Sequence, residues 1–219
     1  MTETTRFPDV MLLTAGNEKA LWSVAGIPLV ERVMANAKAE GAKRFVANGR
    51  AGDHGVLAHF GGLVKVSREE TALGSGGGVK QALPMLHADP FLVMASDSFW
   101  PAGGDTPLQR LIDRHAGPED IVLLCAHPRD AVGFGRSHDF CLSPQGLITR
   151  DYGAPVIFAG VALLGKSLFA ATPDGAFSLD LLFDAALERE TLYGVVLDAP
   201  WFHIGDRAAL AEAEKALVP

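Results

Sequence analysis

Cysteine is scarce in this chain, with two residues in 219, and positive charge runs below negative: 19 Lys and Arg against 26 Asp and Glu, a net charge of −7. Cys125 and Cys141 lack the spacing of metal-binding pairs and lie beside apolar residues, so they read as free thiols of a reducing compartment, the cytoplasm. The acidic balance excludes an extended nucleic-acid backbone as partner. A single nucleotide stays compatible, because a cation bound with it supplies positive charge locally. No apolar run approaches the ~20 residues of a membrane span, and the start, Met1 to Arg6, lacks the basic-then-apolar pattern of a secretion signal. No membrane partner is expected. What the chain does have is apolar residues, 48% of the total, which excludes disorder. Its length suits one domain, 1–219, with a sizeable core.

Apolar runs and helical spacings alternate. Val10–Thr14, Arg44–Ala47, Leu63–Val66, Phe91–Met94 and Ile121–Ala126 read as strands. Between them Pro28–Ala39, Val79–Leu86 and Pro107–His115 read as helices, with Gly41 at a C-cap position. This rhythm predicts an α/β fold: a doubly wound, mostly parallel, Rossmann-like sheet with helices on both faces. After Pro128 the rhythm changes. Asp139–Leu142, Leu147–Arg150 and Val156–Leu164 read as strands, the first two joined at Pro144-Gln145-Gly146, which predicts a small antiparallel flap. Leu179–Glu188 and Arg207–Leu217 read as helices around a strand at Tyr193–Leu197.

Chemistry concentrates in Glu70–Trp100. Three glycines, Gly76 to Gly78, open a helical pattern and let a ligand approach the backbone closely. Asp97 follows the Phe91–Met94 strand at the edge where open α/β sheets bind ligands, a natural place for a metal-binding carboxylate. Read alone, Asp97 also fits a turn cap, and the glycines a flexible connection.

Further segments line up in order: Thr14-Ala15-Gly16; Lys19-Ala20-Leu21-Trp22-Ser23-Val24-Ala25-Gly26-Ile27-Pro28-Leu29-Val30; Leu73-Gly74-Ser75-Gly76-Gly77-Gly78-Val79; Ala95 to Trp100; Phe158-Ala159-Gly160-Val161; and Trp201-Phe202-His203-Ile204-Gly205-Asp206. Together they resemble the sugar-1-phosphate nucleotidyltransferases, in particular the N-acetylmuramate-1-phosphate uridylyltransferase-like branch. The resemblance implies a magnesium-dependent enzyme of sugar-nucleotide and cell-wall precursor synthesis. Its substrates would be a nucleoside triphosphate and a sugar 1-phosphate, its products an NDP-sugar and pyrophosphate. It gives Asp97 the metal, Lys19 the charge developing near the phosphates, Ala15, Gly16, Gly76 and Gly77 the nucleotide, and Gly160 the sugar. Asp139 falls on the sugar side, facing a hydroxyl.

Two departures from the family pattern stand out. The family carries about ten residues, including an arginine, between its Ala-Gly and Pro-Lys segments; here Gly16 runs directly into Asn17-Glu18-Lys19. Three explanations are open: lost activity, a substitute basic side chain, or an omitted stretch of chain. The second departure is His203, which stands where relatives place a second metal-binding Asp. A metal ligand and a packed, hydrogen-bonded histidine are equally compatible with that position. A degenerate relative that binds nucleotide as a sensor or partner protein is the competing expectation. A glycosyltransferase is weaker, since Ser96-Asp97-Ser98 lacks Asp-x-Asp.

Overall fold

The structure is a computed structural model that describes residues 7–101 and 103–217; the Met1 to Arg6 start lies outside them. Ten strands organise it: β1 (Val10–Leu13), β2 (Phe45–Arg50), β3 (Lys65–Glu69), β4 (Phe91–Ala95), β5 (Ile121–Ala126), β6 (Phe140–Leu142), β7 (Ile148–Thr149), β8 (Ala154–Leu164), β9 (Leu192–Val196) and β10 (Trp201–His203). Six helices accompany them: α1 (Leu29–Ala39), α2 (His54–His59), α3 (Gly74–Ala82), α4 (Pro107–Arg114), α5 (Asp180–Glu188) and α6 (Arg207–Leu217).

β1 lies at the centre, parallel to β2 on one side and to β4 on the other, with Val10 opposite Phe45 and Leu92. β3 extends the sheet beyond β2, also in parallel. β8 then pairs antiparallel with both β4 and β5, and β9 runs parallel to β5. The expected mostly parallel sheet is present, with β8 as one reversed strand inside it. Strands buried on both faces explain the near-continuous apolar runs. Val10, Leu12, Leu92, Met94, Val122 and Leu124 face the core under α1, α2 and α4. Their neighbours Met11, Phe91, Val93, Ile121 and Leu123 face the core under α3 and α5.

The flap is also present. β6 pairs antiparallel with β7 and with the first residues of β8, and Gly146 turns the hairpin at φ +82, its N–H donating to Ser143 O. Beyond the sheet edge, β10 pairs antiparallel with Ser98–Phe99 and parallel with Ala131–Val132.

This connectivity locates the ligand crevice. From β1 the chain winds outward through β2 and β3, then returns to the other side of β1 as β4. The switch point therefore lies between β1 and β4, and ligands of such sheets bind outside the carboxyl ends of the strands that flank it. Thr14 to Asn17 follow one of those ends and Ser96-Asp97 the other.

Candidate active site

Buried polar side chains weld the strand ends together. Asn48 of β2 accepts the N–H groups of Thr14 (2.8 Å) and Ala15 (3.3 Å) through Oδ1, and donates through Nδ2 to Glu69 Oε1 at 2.7 Å. The other Glu69 oxygen accepts Leu73 N–H at 3.3 Å, tying β3 to the start of α3. Ser96 Oγ donates to Leu13 O at 2.6 Å and accepts from Asn17 Nδ2 at 3.0 Å, so the ends of β1 and β4 are stitched directly. Buried polar groups held this way give a rigid wall, since leaving any of them unpaired costs about 1–3 kcal/mol.

The join after Gly16 is a formed turn. Asn17 N–H donates to Thr14 O at 3.0 Å, Gly16 takes φ +67, and its N–H donates to Asp53 Oδ2 at 2.9 Å. Glu18–Leu21 follow as a short 3-10 helix. That helix places Lys19 Nζ 3.7 Å from Asp97 Oδ2 and 3.2 Å from the Gly205 carbonyl. The carbonyl of Asp97 accepts Ile204 N–H at 2.8 Å, bringing the residues after β10 to the same point. A partly exposed pair at this distance contributes about 0–1 kcal/mol to stability. It is therefore free to rearrange around a ligand.

Two hollows open at the carboxyl edge of the strands, and of this pair Lys19 lines the larger while Asp97 lines neither. One of 240 Å³ is lined by Leu13, Ala15, Asn48, Glu69, Gly74 and Ser75, with Arg50 at its rim. The other, of 680 Å³, is lined by Gly16, Lys19, Trp22, Arg50 and Thr71. Arg50 and Ala72 border both. A separate 440 Å³ hollow around Phe7, Asp9 and His87 sits near the opposite edge of the strands and contains none of the nominated residues.

The nominated residues divide accordingly. Gly16 and Lys19 line the larger hollow and Ala15 the smaller, while Asp97 reaches them through its 3.7 Å approach to Lys19. Gly76 and Gly77 both donate their N–H groups to Phe177 O; a Cβ on Gly76 would stand 2.3 Å from the Phe177 ring, and one on Gly77 2.2 Å from Gly175 O. Those two glycines seat α3 against the segment before α5, while Gly74 and Ser75 line the cleft. Gly160 (φ +80) lies in the bulge of β8, where a Cβ would meet Ser98 Oγ at 2.6 Å. It borders the loop after β4. Asp139 is committed on both oxygens, one to Arg136 at 2.8 Å and the other to Phe158 N–H at 3.0 Å. His203 pairs with Ser98 across the ladder; its ring stacks on Trp201 at 5.7 Å, and its buried Nδ1 has no hydrogen-bond partner among the described residues. Trp100 and Trp201 are core residues, whereas Trp22, with Arg207 over its ring at 3.9 Å, faces the larger hollow. Arg50 and Glu69 were not singled out by sequence, and Asn48, following the second strand, fitted either a substrate contact or a turn cap. Cys125 is fully buried and its thiol is pushed up to about 12, which makes it unreactive.

Residues 6–178 match the MobA-like NTP transferase domain. The chain belongs to this family. It is 32% identical over 219 residues to N-acetylmuramate alpha-1-phosphate uridylyltransferase of Caulobacter vibrioides, covering 94% of this chain and 90% of that one. It is 30% identical over 237 residues to the bifunctional protein GlmU of Aromatoleum aromaticum, covering 94% of this chain and 51% of GlmU. HddC from Yersinia pseudotuberculosis, solved with GMP-PN, superposes with a TM-score of 0.75 at 18% identity, over 95% of this chain and 99% of that one. The inositol-1-phosphate CTP transferase from T. maritima gives 0.72 at 15% identity, over 98% and 99%. These two structures share the fold. As a MobA-like NTP transferase the chain is a nucleotidyltransferase, similar in sequence to a sugar-1-phosphate uridylyltransferase along most of its length.

Proposed function

We propose that this chain is a magnesium-dependent uridylyltransferase acting on an amino-sugar 1-phosphate in cell-wall precursor synthesis in the cytoplasm. The single observation that carries the reading is the meeting of Lys19 and Asp97 at the β1/β4 switch point, with Lys19 lining the 680 Å³ hollow that Arg50 joins to the smaller one. The small hollow supports a nucleobase seat whose walls are backbone and fixed polar groups. The triphosphate then extends past Arg50 toward Lys19.

An oxygen of the sugar phosphate attacks the α-phosphorus in line, and the bond to the bridging oxygen breaks with its electron pair on pyrophosphate. No covalent enzyme intermediate is required, so positioning and charge neutralisation carry the rate. Lys19 offsets the negative charge gathered around the α-phosphate. The rigid Asn48–Glu69 wall holds the base while the phosphates react.

The donor set fits a magnesium ion. The carboxylate of Asp97 accepts no hydrogen bond among the described residues, and one carboxylate with phosphate oxygens and waters is a usual set for this cation. Bound there, the ion supplies charge neutralisation across the phosphates. Imidazole is a weak partner for so hard a cation, which leaves Asp97 as the main ligand and His203 as secondary at most.

Mixing the protein with UTP, magnesium chloride and N-acetylmuramic acid 1-phosphate is expected to release pyrophosphate, read by a coupled phosphate assay. No release with any common nucleoside triphosphate across a panel of sugar 1-phosphates would contradict the proposal. The short turn after Gly16 favours one second reading, a nucleotide-binding protein without turnover. Calorimetry separates the two: the second reading requires binding without pyrophosphate release, unaffected by Asp97→Asn.

A further inference from the structure

Against the short turn from Gly16 to Lys19 lies a guanidinium from the neighbouring strand. Arg50 is the last residue of β2, at the carboxyl edge of the parallel strands. A Cβ placed on Gly16 would stand 1.4 Å from Arg50 Nη2, so the guanidinium lies against the face of that glycine. Arg50 also borders both the 240 Å³ and the 680 Å³ hollows, the junction a triphosphate must cross between base seat and Lys19.

Its charge is uncommitted. Glu18, Asp53 and Glu70 line the larger hollow with Arg50, and Oδ2 of Asp53 accepts the backbone N–H groups of Arg50 (2.6 Å) and Gly16 (2.9 Å). Among the described residues the Arg50 guanidinium has no ion pair and no hydrogen bond. Lys19, the other cation lining the larger hollow, is already shared between Asp97 and the Gly205 carbonyl. In a chain of net charge −7, a polyanion needs a local cation with spare donors. An arginine offers a planar fork that fits phosphate oxygens two at a time.

We propose that Arg50 is the triphosphate-binding cation of this enzyme, reaching the turn after β1 from the neighbouring strand. On nucleotide entry the guanidinium leaves the face of Gly16 and engages the β- and γ-phosphate oxygens. There it offsets the charge that accumulates on pyrophosphate as the bond to the α-phosphorus breaks. Asp53 anchors both the turn and the backbone from which Arg50 reaches. Gly16 is then needed for two reasons: its positive φ, and the space its missing Cβ leaves for the guanidinium.

This inference rests on the nucleotidyltransferase reading above, and the test separates the two. Calorimetry measures UTP and UMP binding, with magnesium chloride, to the wild-type protein, Arg50→Gln and Arg50→Lys. Thermal unfolding of each is followed in parallel. Arg50→Gln is expected to weaken UTP by about 10- to 100-fold, the loss of a charge-assisted phosphate contact, while UMP affinity changes less than about threefold. Arg50→Lys recovers part of the UTP affinity, and the unfolding temperature stays the same. Equal UTP affinity in wild type and Arg50→Gln overturns the role of Arg50 and leaves the functional reading standing. An equal loss for UTP and UMP also overturns it, since that is the signature of a wall residue. A wild-type protein that binds neither UTP nor any other nucleoside triphosphate overturns both.

Discussion

Asn48 uses its whole amide on the cleft: the oxygen takes two N–H groups from the turn after β1, and the nitrogen reaches Glu69. Nothing local in Ala47-Asn48-Gly49 announces this, because the partners come from three strands that only the folded sheet brings together. Asp97 and Lys19 stood out because a carboxylate at a strand end and a lysine ahead of Val24-Ala25-Gly26 sit in a recurring order of motifs, and the fold brings the two within 3.7 Å. Gly76 and Gly77 each need close backbone approach, and the segment around Phe177 makes it. Gly77→Ala is therefore expected to cost about 1–3 kcal/mol, because its methyl meets a main-chain oxygen at 2.2 Å that cannot rotate away. Urea unfolding measures it; a wild-type midpoint for this variant would refute that packing role.

At the scale of elements, the buried strands were readable as apolar runs and the long helices as amphipathic spacings. Ile121–Ala126 and Arg207–Leu217 coincide with β5 and α6 residue for residue. Short elements were not readable. β10 has three residues and its partner strand Ser98–Phe99 two, too few for any period to emerge. α2 begins within a polar stretch and has one buried residue, Val56. The strand expected at Leu63–Val66 begins two residues later, since Leu63 is 83% exposed in the turn after Gly61-Gly62. α4 carries a pH-dependent liability at its end. His115 caps it, burial holds its imidazole below the usual range against the opposing pull of Asp120 and Asp89, and its buried Nε2 has no hydrogen-bond partner among the described residues. A folded-state value below the unfolded one means that stability is intact above about pH 6.5 and is lost as pH falls through that value. The urea midpoint is expected to drop between pH 7.5 and pH 5.5, and by less in His115→Gln. Equal drops in the two proteins would remove His115 from the account.

Across the whole molecule, winding order does the positioning. Because β1 is central and the chain reverses direction across the sheet after β3, the ends of β1, β2 and β4 open on one crevice, and residues from Gly16 to Gly205 meet there. The reversed β8 also serves the site, since its bulge at Gly160 lets it pack against Ser98, next to Asp97. Sequence periodicity implied the parallel rhythm and the flap, but pairing β8 between β4 and β5 depends on contacts far apart in the chain. No helix among the described residues is long and apolar enough to cross a membrane. The most direct measurement is the ³¹P NMR spectrum of wild type and Asp97→Asn incubated with UTP, magnesium chloride and N-acetylmuramic acid 1-phosphate. The account predicts the diphosphate resonances of a sugar nucleotide growing with wild type, and at least ~100-fold more slowly with the variant. Equal rates in the two proteins, or no sugar nucleotide from wild type, would contradict it.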